Sequence, residues 1–271
     1  MVMRARVGIL ALLLPQLAAA ELPTVASINL CTDQLVLTVA EPSQILSLSW
    51  LSADPEESML AAQASRFPLN YGAAEELIGI GADVVIAGSE TSPFTRQLLT
   101  RLGASVVEVT PATSLTEVAA NLLAVGSAIE RADAARRAIA DMQARTEALR
   151  QQQIGPARSA IVVRPGGFTI GRGTLAHELI ELAGLDNRIA ELDRWGSLSV
   201  ETLLVQDPEI VVTTTYRTHE SSLANSIFSH PALASLGGST LRLEVDAKYF
   251  ACGAPESLRS AEVLLEQMAA H

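Results

Sequence analysis

Aromatic residues are scarce in this 271-residue chain, which has two Trp, three Tyr and five Phe. Any surface that needs broad, rigid side chains must draw on a handful of positions. Basic residues are also few: 19 Lys and Arg stand against 30 Asp and Glu, giving a formal charge of −11, and no basic run occurs. Nucleic-acid binding rests on phosphate neutralisation by Lys and Arg, so that class is excluded. The same acidity disfavours a strongly anionic ligand unless a local patch overrules the net charge. No stretch after residue 20 is apolar over the roughly 20 residues that a membrane span needs.

Enzyme signatures are missing as well. His177-Glu178-Leu179-Ile180-Glu181 places Glu where the helix of a zinc protease needs its second His. The four histidines, His177, His219, His230 and His271, are scattered. The glycine-rich segment Gly166 to Thr174 lacks the Gly-Lys-Thr ending of a phosphate loop and reads as a tight strand-to-helix turn lining a cleft. No Gly-x-Ser-x-Gly elbow is present. The expectation is a binding protein rather than an enzyme, with no resident cofactor and no metal held by the protein alone.

What is present begins with Met1 to Ala20. Arg4 and Arg6, the apolar run Val7 to Leu14 and the small residues Ala18-Ala19-Ala20 have the layout of a secretory signal. Its removal would leave a soluble chain, with the formal charge going from −11 to −13 as Arg4 and Arg6 are lost. Cys31 follows Ile28-Asn29-Leu30 and lacks the small residue that lipoprotein processing requires before it, which argues against a lipid anchor.

A twelve-residue pattern occurs twice. Glu75 through Ile86 lies over Glu201 through Val212 without a gap: a glutamate, an adjacent apolar pair, a break, an acidic residue and a β-branched run. The unit is helix, turn, strand. Many α/β chains repeat such units, but they do not require the matching glutamates. Strands read from the pattern are Thr24 to Leu30, Ile45 to Trp50, Val84 to Ala87, Ser105 to Val109, Ser159 to Val163, Ile210 to Thr213 and Thr240 to Val245. Helices alternate with them over Thr32 to Val39, Pro93 to Leu102, a segment behind a capping box of Ser114 and Glu117, Leu175 to Ala183, Val200 to Gln206, Leu223 to Phe228 and Pro255 to Ala270. From Arg131 to Gln152 there is no Pro or Gly, and one long helix is predicted. The fold class is α/β: two similar lobes with mostly parallel sheets, joined by one long helix, with a ligand cleft between them. The divisions are a signal at 1–20, an N-terminal lobe at 21–130, a linking helix at 131–155 and a C-terminal lobe at 156–271.

Ala26-Ser27-Ile28-Asn29-Leu30-Cys31-Thr32-Asp33-Gln34-Leu35, together with both copies of the repeat, resembles the helical-linker class of periplasmic substrate-binding proteins. These serve ABC importers of vitamin B12, haem and iron–siderophore complexes. One departure is Gly81-Ala82-Asp83 where many relatives have Lys-Pro-Asp, whereas Asp207-Pro208-Glu209 keeps the proline. The resemblance implies a soluble, monomeric periplasmic protein that carries a metal chelate, either cobalamin or a related corrinoid or an iron–siderophore, to an inner-membrane permease. It also implies that Glu75 and Glu201 meet arginines of that permease. The alternative is that both are ordinary solvated residues favoured in a helix's first turn by the dipole.

By the same resemblance Trp50 and Trp195 face the ligand from opposite lobes, against the alternative that each fills a lobe core. Tyr216, Arg217, Tyr249 and Phe250 are further ligand candidates, Arg217 as a partner for a carboxylate or phosphate; Tyr71 is weaker. Cys31 and Cys252 are the only cysteines. An even count in an exported protein suggests a disulfide, which would tie the two halves together. Free thiols, or a direct metal or ligand role, are the other readings. The alternative function is a periplasmic metal chaperone or an enzyme on the same two-lobed scaffold.

Overall fold

The computed structural model of the protein describes residues 21–153, 155–216, 223–231, 233 and 240–271. The predicted signal, Arg217 and His219 lie outside the described residues. The N-terminal lobe alternates β1 (Val25–Ser27), α1 (Leu30–Val39), β2 (Ile45–Ser49), α2 (Ala61–Ala64), β3 (Leu69–Asn70), α3 (Ala74–Ile80), β4 (Val84–Gly88), α4 (Pro93–Arg101), β5 (Ser105–Val109) and α5 (Leu115–Ala128). Its five strands are all parallel, in the order β3-β2-β1-β4-β5. Helix α6 (Ala132–Gln152) leads to the second lobe. There β6 (Arg158–Val163), β7 (Phe168–Ile170), α7 (Leu175–Leu182), β8 (Leu185–Asn187), β9 (Trp195–Ser197), α8 (Val200–Gln206), β10 (Ile210–Thr215), β11 (Leu241–Asp246) and α9 (Arg259–Ala269) follow. The parallel order is β11-β10-β6-β8, and β7 and β9 form a separate antiparallel pair.

Both faces of each sheet are covered, so the central strands are apolar without alternation: Val84 to Ala87 and Ala160 to Val163 are buried throughout. On one face of the first sheet, Leu77 of α3 and Leu99 of α4 pack on Ala26 and Val85. On one face of the second, Leu203 of α8 packs against Ile161, Val163 and Val211. The remaining faces share one apolar cluster that runs from Val25 and Leu35, through Met142 and Leu149 of α6, to Val162, Leu179 and Leu264. The lobes are therefore joined by a common core as well as by the linking helix.

The repeat is structural. Gly81 and Asp207 occupy matching positions and both take a left-handed backbone that ends the helix. Two residues later Asp83 and Glu209 reach back to the opening of the neighbouring strand. Asp83 Oδ2 accepts from the Thr24 backbone N–H at 2.8 Å and its hydroxyl at 2.6 Å, and the Asp83 N–H donates to that hydroxyl. Glu209 Oε2 accepts from the Ser159 N–H at 2.8 Å and hydroxyl at 3.1 Å, with the Glu209 N–H returning the bond. In each case these donated bonds hold the carboxylate below its ordinary pKa.

Several expectations are corrected. The glycine-rich turn contains strand β7, paired with β9, because Phe168, Thr169 and Ile170 find partners in Ser197, Gly196 and Trp195. Trp195 is accordingly on a strand rather than in a loop. The capping box at α5 is half formed: the Ser114 hydroxyl accepts from the Glu117 N–H, but Glu117 turns to the backbone and hydroxyl of Thr113. Leu223–Ser229 and the opening of the last helix, Pro255–Leu258, are 3-10 turns. The short elements α2, β3 and β8 carry too little pattern to be read from the sequence.

Candidate functional site

In open parallel sheets ligands settle outside the carboxyl ends of the strands. Here those ends run from Ser27 toward Asn29, from Gly88 to Glu90 and from Val109 to Thr110 in the first lobe, and they end at Arg164 and Tyr216 in the second. Between the lobes lies a cleft of about 530 Å³. Asn29, Glu90 and Thr110 line it from one side and Thr174, Arg194 and Trp195 from the other. Glu117 faces the same space, and its carboxylate lies below the ordinary range because Thr113 donates two hydrogen bonds to it and Arg194 adds an opposite charge.

Cys31 and Cys252 form a disulfide in the wall of this cleft, with Cα atoms 5.0 Å apart. Cys31 is placed by the first turn of α1, whose cap is the Asn29 side chain accepting from the Cys31 N–H at 2.9 Å. Cys252 precedes the turn into α9, where the Ser257 hydroxyl donates to its carbonyl at 2.6 Å. With both sulfurs consumed, the free-thiol and thiolate-metal readings are overturned. Further bonds cross between the lobes: Tyr216 donates to Glu57 Oε1 at 2.7 Å, Lys248 Nζ to the Pro55 carbonyl at 3.0 Å, and the Leu115 N–H to Glu178 Oε2 at 2.8 Å.

The predicted ligand residues fall into two groups. Trp50 and Trp195 are each 45% exposed, so neither is a core plug. Trp195 lines the cleft; Trp50 sits past the carboxyl end of β2, stacked at 6.3 Å on Tyr71, itself exposed past the end of β3. Tyr216 is partly exposed, with its hydroxyl committed to Glu57. Phe250 belongs to the common core while one side reaches the cleft, and Tyr249 packs on that core under Lys248. Arg217 lies outside the described residues.

Three residues were missed. Phe168, 53% exposed, is two residues ahead of Ile170, the antiparallel partner of Trp195. An exposed phenylalanine among glycines, which offer it no side chain to pack on, was the available signal. Arg164 ends the apolar run of β6, and its guanidinium lies 4.7 Å from the centre of the Trp195 ring. The signal there was a charge at the carboxyl end of a buried parallel strand. Asp33 is fully buried in α1, accepting from the Ser49 N–H at 3.2 Å and from the Ser49 hydroxyl. Burial pushes its carboxyl up to about 7, against the lowering effect of the bonds from Ser27 and Ser49. Nothing in the local sequence announces that burial.

Glu75 and Glu201 are exposed in the first turns of α3 and α8, and one turn on each helix exposes an aliphatic residue, Ile78 and Leu204. The Ser199 hydroxyl helps hold Glu201 below its ordinary pKa, together with the backbone at Glu201 itself, whose contribution is the larger. Among the described residues no group of three or more His, Cys, Asp or Glu is placed to hold a metal ion. No helix among them is long and apolar enough to cross a membrane.

The two lobes, the strand-end cleft and the repeated glutamate units agree with a family model described as periplasmic binding protein, which matches residues 25–237. The chain belongs to the periplasmic binding protein family. Family members with solved structures share its fold over nearly their whole length. The periplasmic haem-binding protein HutB of Vibrio cholerae superposes with a TM-score of 0.77 at 17% identity, covering 91% of this chain and 98% of that one. The periplasmic vitamin B12-binding protein BtuF of the same organism gives 0.68 at 17% identity, over 92% and 97%. At such identities the likeness shows the fold alone. A cobalamin-binding protein of Halobacterium salinarum is 30% identical over 145 residues, which is 51% of this chain and 39% of that protein. The shared stretch thus spans about two fifths of that relative.

Proposed function

We propose that the protein is the substrate-binding component of an ABC importer, working in the periplasm as a soluble monomer. It captures a metal chelate, either cobalamin or a related corrinoid or an iron–siderophore, and delivers it to an inner-membrane permease. The observation that carries this reading is the cleft at the carboxyl ends of two parallel sheets, with an exposed tryptophan on each lobe. Indole rings offer a large, flat chelate apolar area at low entropic cost. The cobalamin-binding relative and the haem- and vitamin B12-binding structural neighbours support the ligand class. Glu75 and Glu201, one exposed on each lobe within the same local unit, present two charges that would fix the orientation of docking on the permease. A metal chaperone on this scaffold would need thiols, and both are in the disulfide.

Tryptophan fluorescence titrated with cyanocobalamin, a hydroxamate ferrisiderophore, a catecholate ferrisiderophore and haemin tests the reading. One of the four should quench saturably at one-to-one stoichiometry, and Trp195→Ala should weaken that ligand by roughly 1 to 3 kcal/mol. No saturable response to any of them would remove the metal-chelate reading.

A further inference from the structure

Several arginines of this acidic chain have carboxylate partners: Arg96 pairs with Glu108, Arg131 with Glu41, Arg145 with Glu262 and Arg259 with Glu266. Arg164 differs. Its backbone is fixed by bonds to Phe168 and Gly167, but its guanidinium has neither a hydrogen bond nor an ion pair among the described residues. The side chain is largely withdrawn from water, and burial lowers its pKa with no carboxylate to offset the loss. A cation held this way without a counter-ion is costly unless a partner arrives from outside. The indole of Trp195 at 4.7 Å gives partial compensation through its ring face. Arg194, next to Trp195 and lining the cleft, adds a second positive charge on this lobe.

We propose that Arg164 is an anion-binding residue of the cleft, taking a carboxylate or phosphate oxygen of the ligand beside Trp195. This rests on the binding-protein reading for the identity of the ligand, but the anion site itself does not. The planar guanidinium suits oxyanions by geometry as well as charge, and its stack on the indole holds the fork in one orientation. The aromatic face then receives the flat body of the chelate while Arg164 receives its acidic substituent. Selection would therefore act on the periphery of the chelate and not only on its metal centre.

Two experiments test this, the first without any chelate. Trp50→Phe leaves Trp195 as the only tryptophan. At low ionic strength, where screening is weak, iodide should quench Trp195 several-fold more strongly in Trp50→Phe than in Trp50→Phe/Arg164→Gln, while quenching by neutral acrylamide stays the same. Arg164→Lys should keep the preference for iodide, which separates charge from misfolding. Equal iodide quenching with and without the arginine overturns the proposal. The second experiment compares calorimetric affinities for haemin and its dimethyl ester, and for cyanocobalamin and dicyanocobinamide, which lacks the phosphate. Arg164→Gln should weaken the member that carries the acidic group in one pair roughly tenfold or more and leave the member without it unchanged. The haemin pair reports a carboxylate and the corrinoid pair a phosphate. Equal losses for both members of each pair overturn the assignment. If the unaltered protein binds none of these probes, the proposed function fails and the iodide result still decides the arginine.

Discussion

Asp33 lies two residues from the disulfide and bonds to Ser49, the residue before Trp50, so a buried carboxyl supports the rim of the cleft. Its folded pKa of about 7 stands above the unfolded value of 3.8. The native state keeps this proton where the unfolded chain has lost it. The contribution to stability is complete below the unfolded value and is lost as pH rises through the folded one. Compared with Asp33→Asn, whose amide oxygen can still accept from Ser49, the natural protein should lose ground between about pH 5 and about pH 8, by roughly 2.5 kcal/mol at most. Denaturant midpoints of both proteins at these two pH values measure the difference; a gap that does not move with pH would mean that the carboxyl titrates normally. Trp50 and Trp195 are a contrasting case at this scale: both are exposed, against the alternative that each fills a lobe core, although the sequence did not place Trp195 on a strand.

At the scale of elements, the helix-turn-strand unit recurs with its details intact: a buried leucine at Leu77 and Leu203, a left-handed residue at Gly81 and Asp207, and a carboxylate at Asp83 and Glu209 that ties the strand to its neighbour. The same unit puts Glu75 and Glu201 outside, in the first turns of α3 and α8, where the helix dipole favours them regardless of any partner. The proposed docking role is therefore separable from folding. Reversing both charges, Glu75→Arg with Glu201→Arg, should cut uptake in cells by roughly tenfold or more and leave ligand affinity unaltered. Uptake at the normal rate would show that these helices do not meet the permease. The antiparallel pair β7 and β9 is the element that the strand pattern did not reveal. Each strand has three residues, too few for alternation to be visible, and their pairing depends on a chain reversal between residues 170 and 195.

At the scale of the molecule, three features bind the lobes: the common apolar core, the bonds from Tyr216 and Lys248 to the first lobe, and the disulfide. The cysteines are 221 positions apart, so the cross-link restrains most of the unfolded chain. Loop closure on this scale corresponds to about 5 kcal/mol as an upper figure. Cys31→Ser with Cys252→Ser should lower the unfolding midpoint accordingly and increase the ligand-free radius of gyration in small-angle scattering. Unchanged values in both would mean that the shared core alone holds the lobes together.

The sequence by itself determined the class and the plan. Uninterrupted apolar runs specify parallel strands covered on both faces, the segment 131–152 without Pro or Gly specifies the linking helix, and the repeat specifies two related lobes. Those signals are local, because periodicity and propensity act within one element. Only the tertiary structure decided which distant side chains meet. It joined Cys31 to Cys252, set Arg164 against Trp195 without a carboxylate, buried Asp33 beneath the rim and bonded Tyr216 to Glu57. Each of these depends on how two separately legible lobes pack together or on where a strand ends in space, and neither is written in the spacing of residues along the chain.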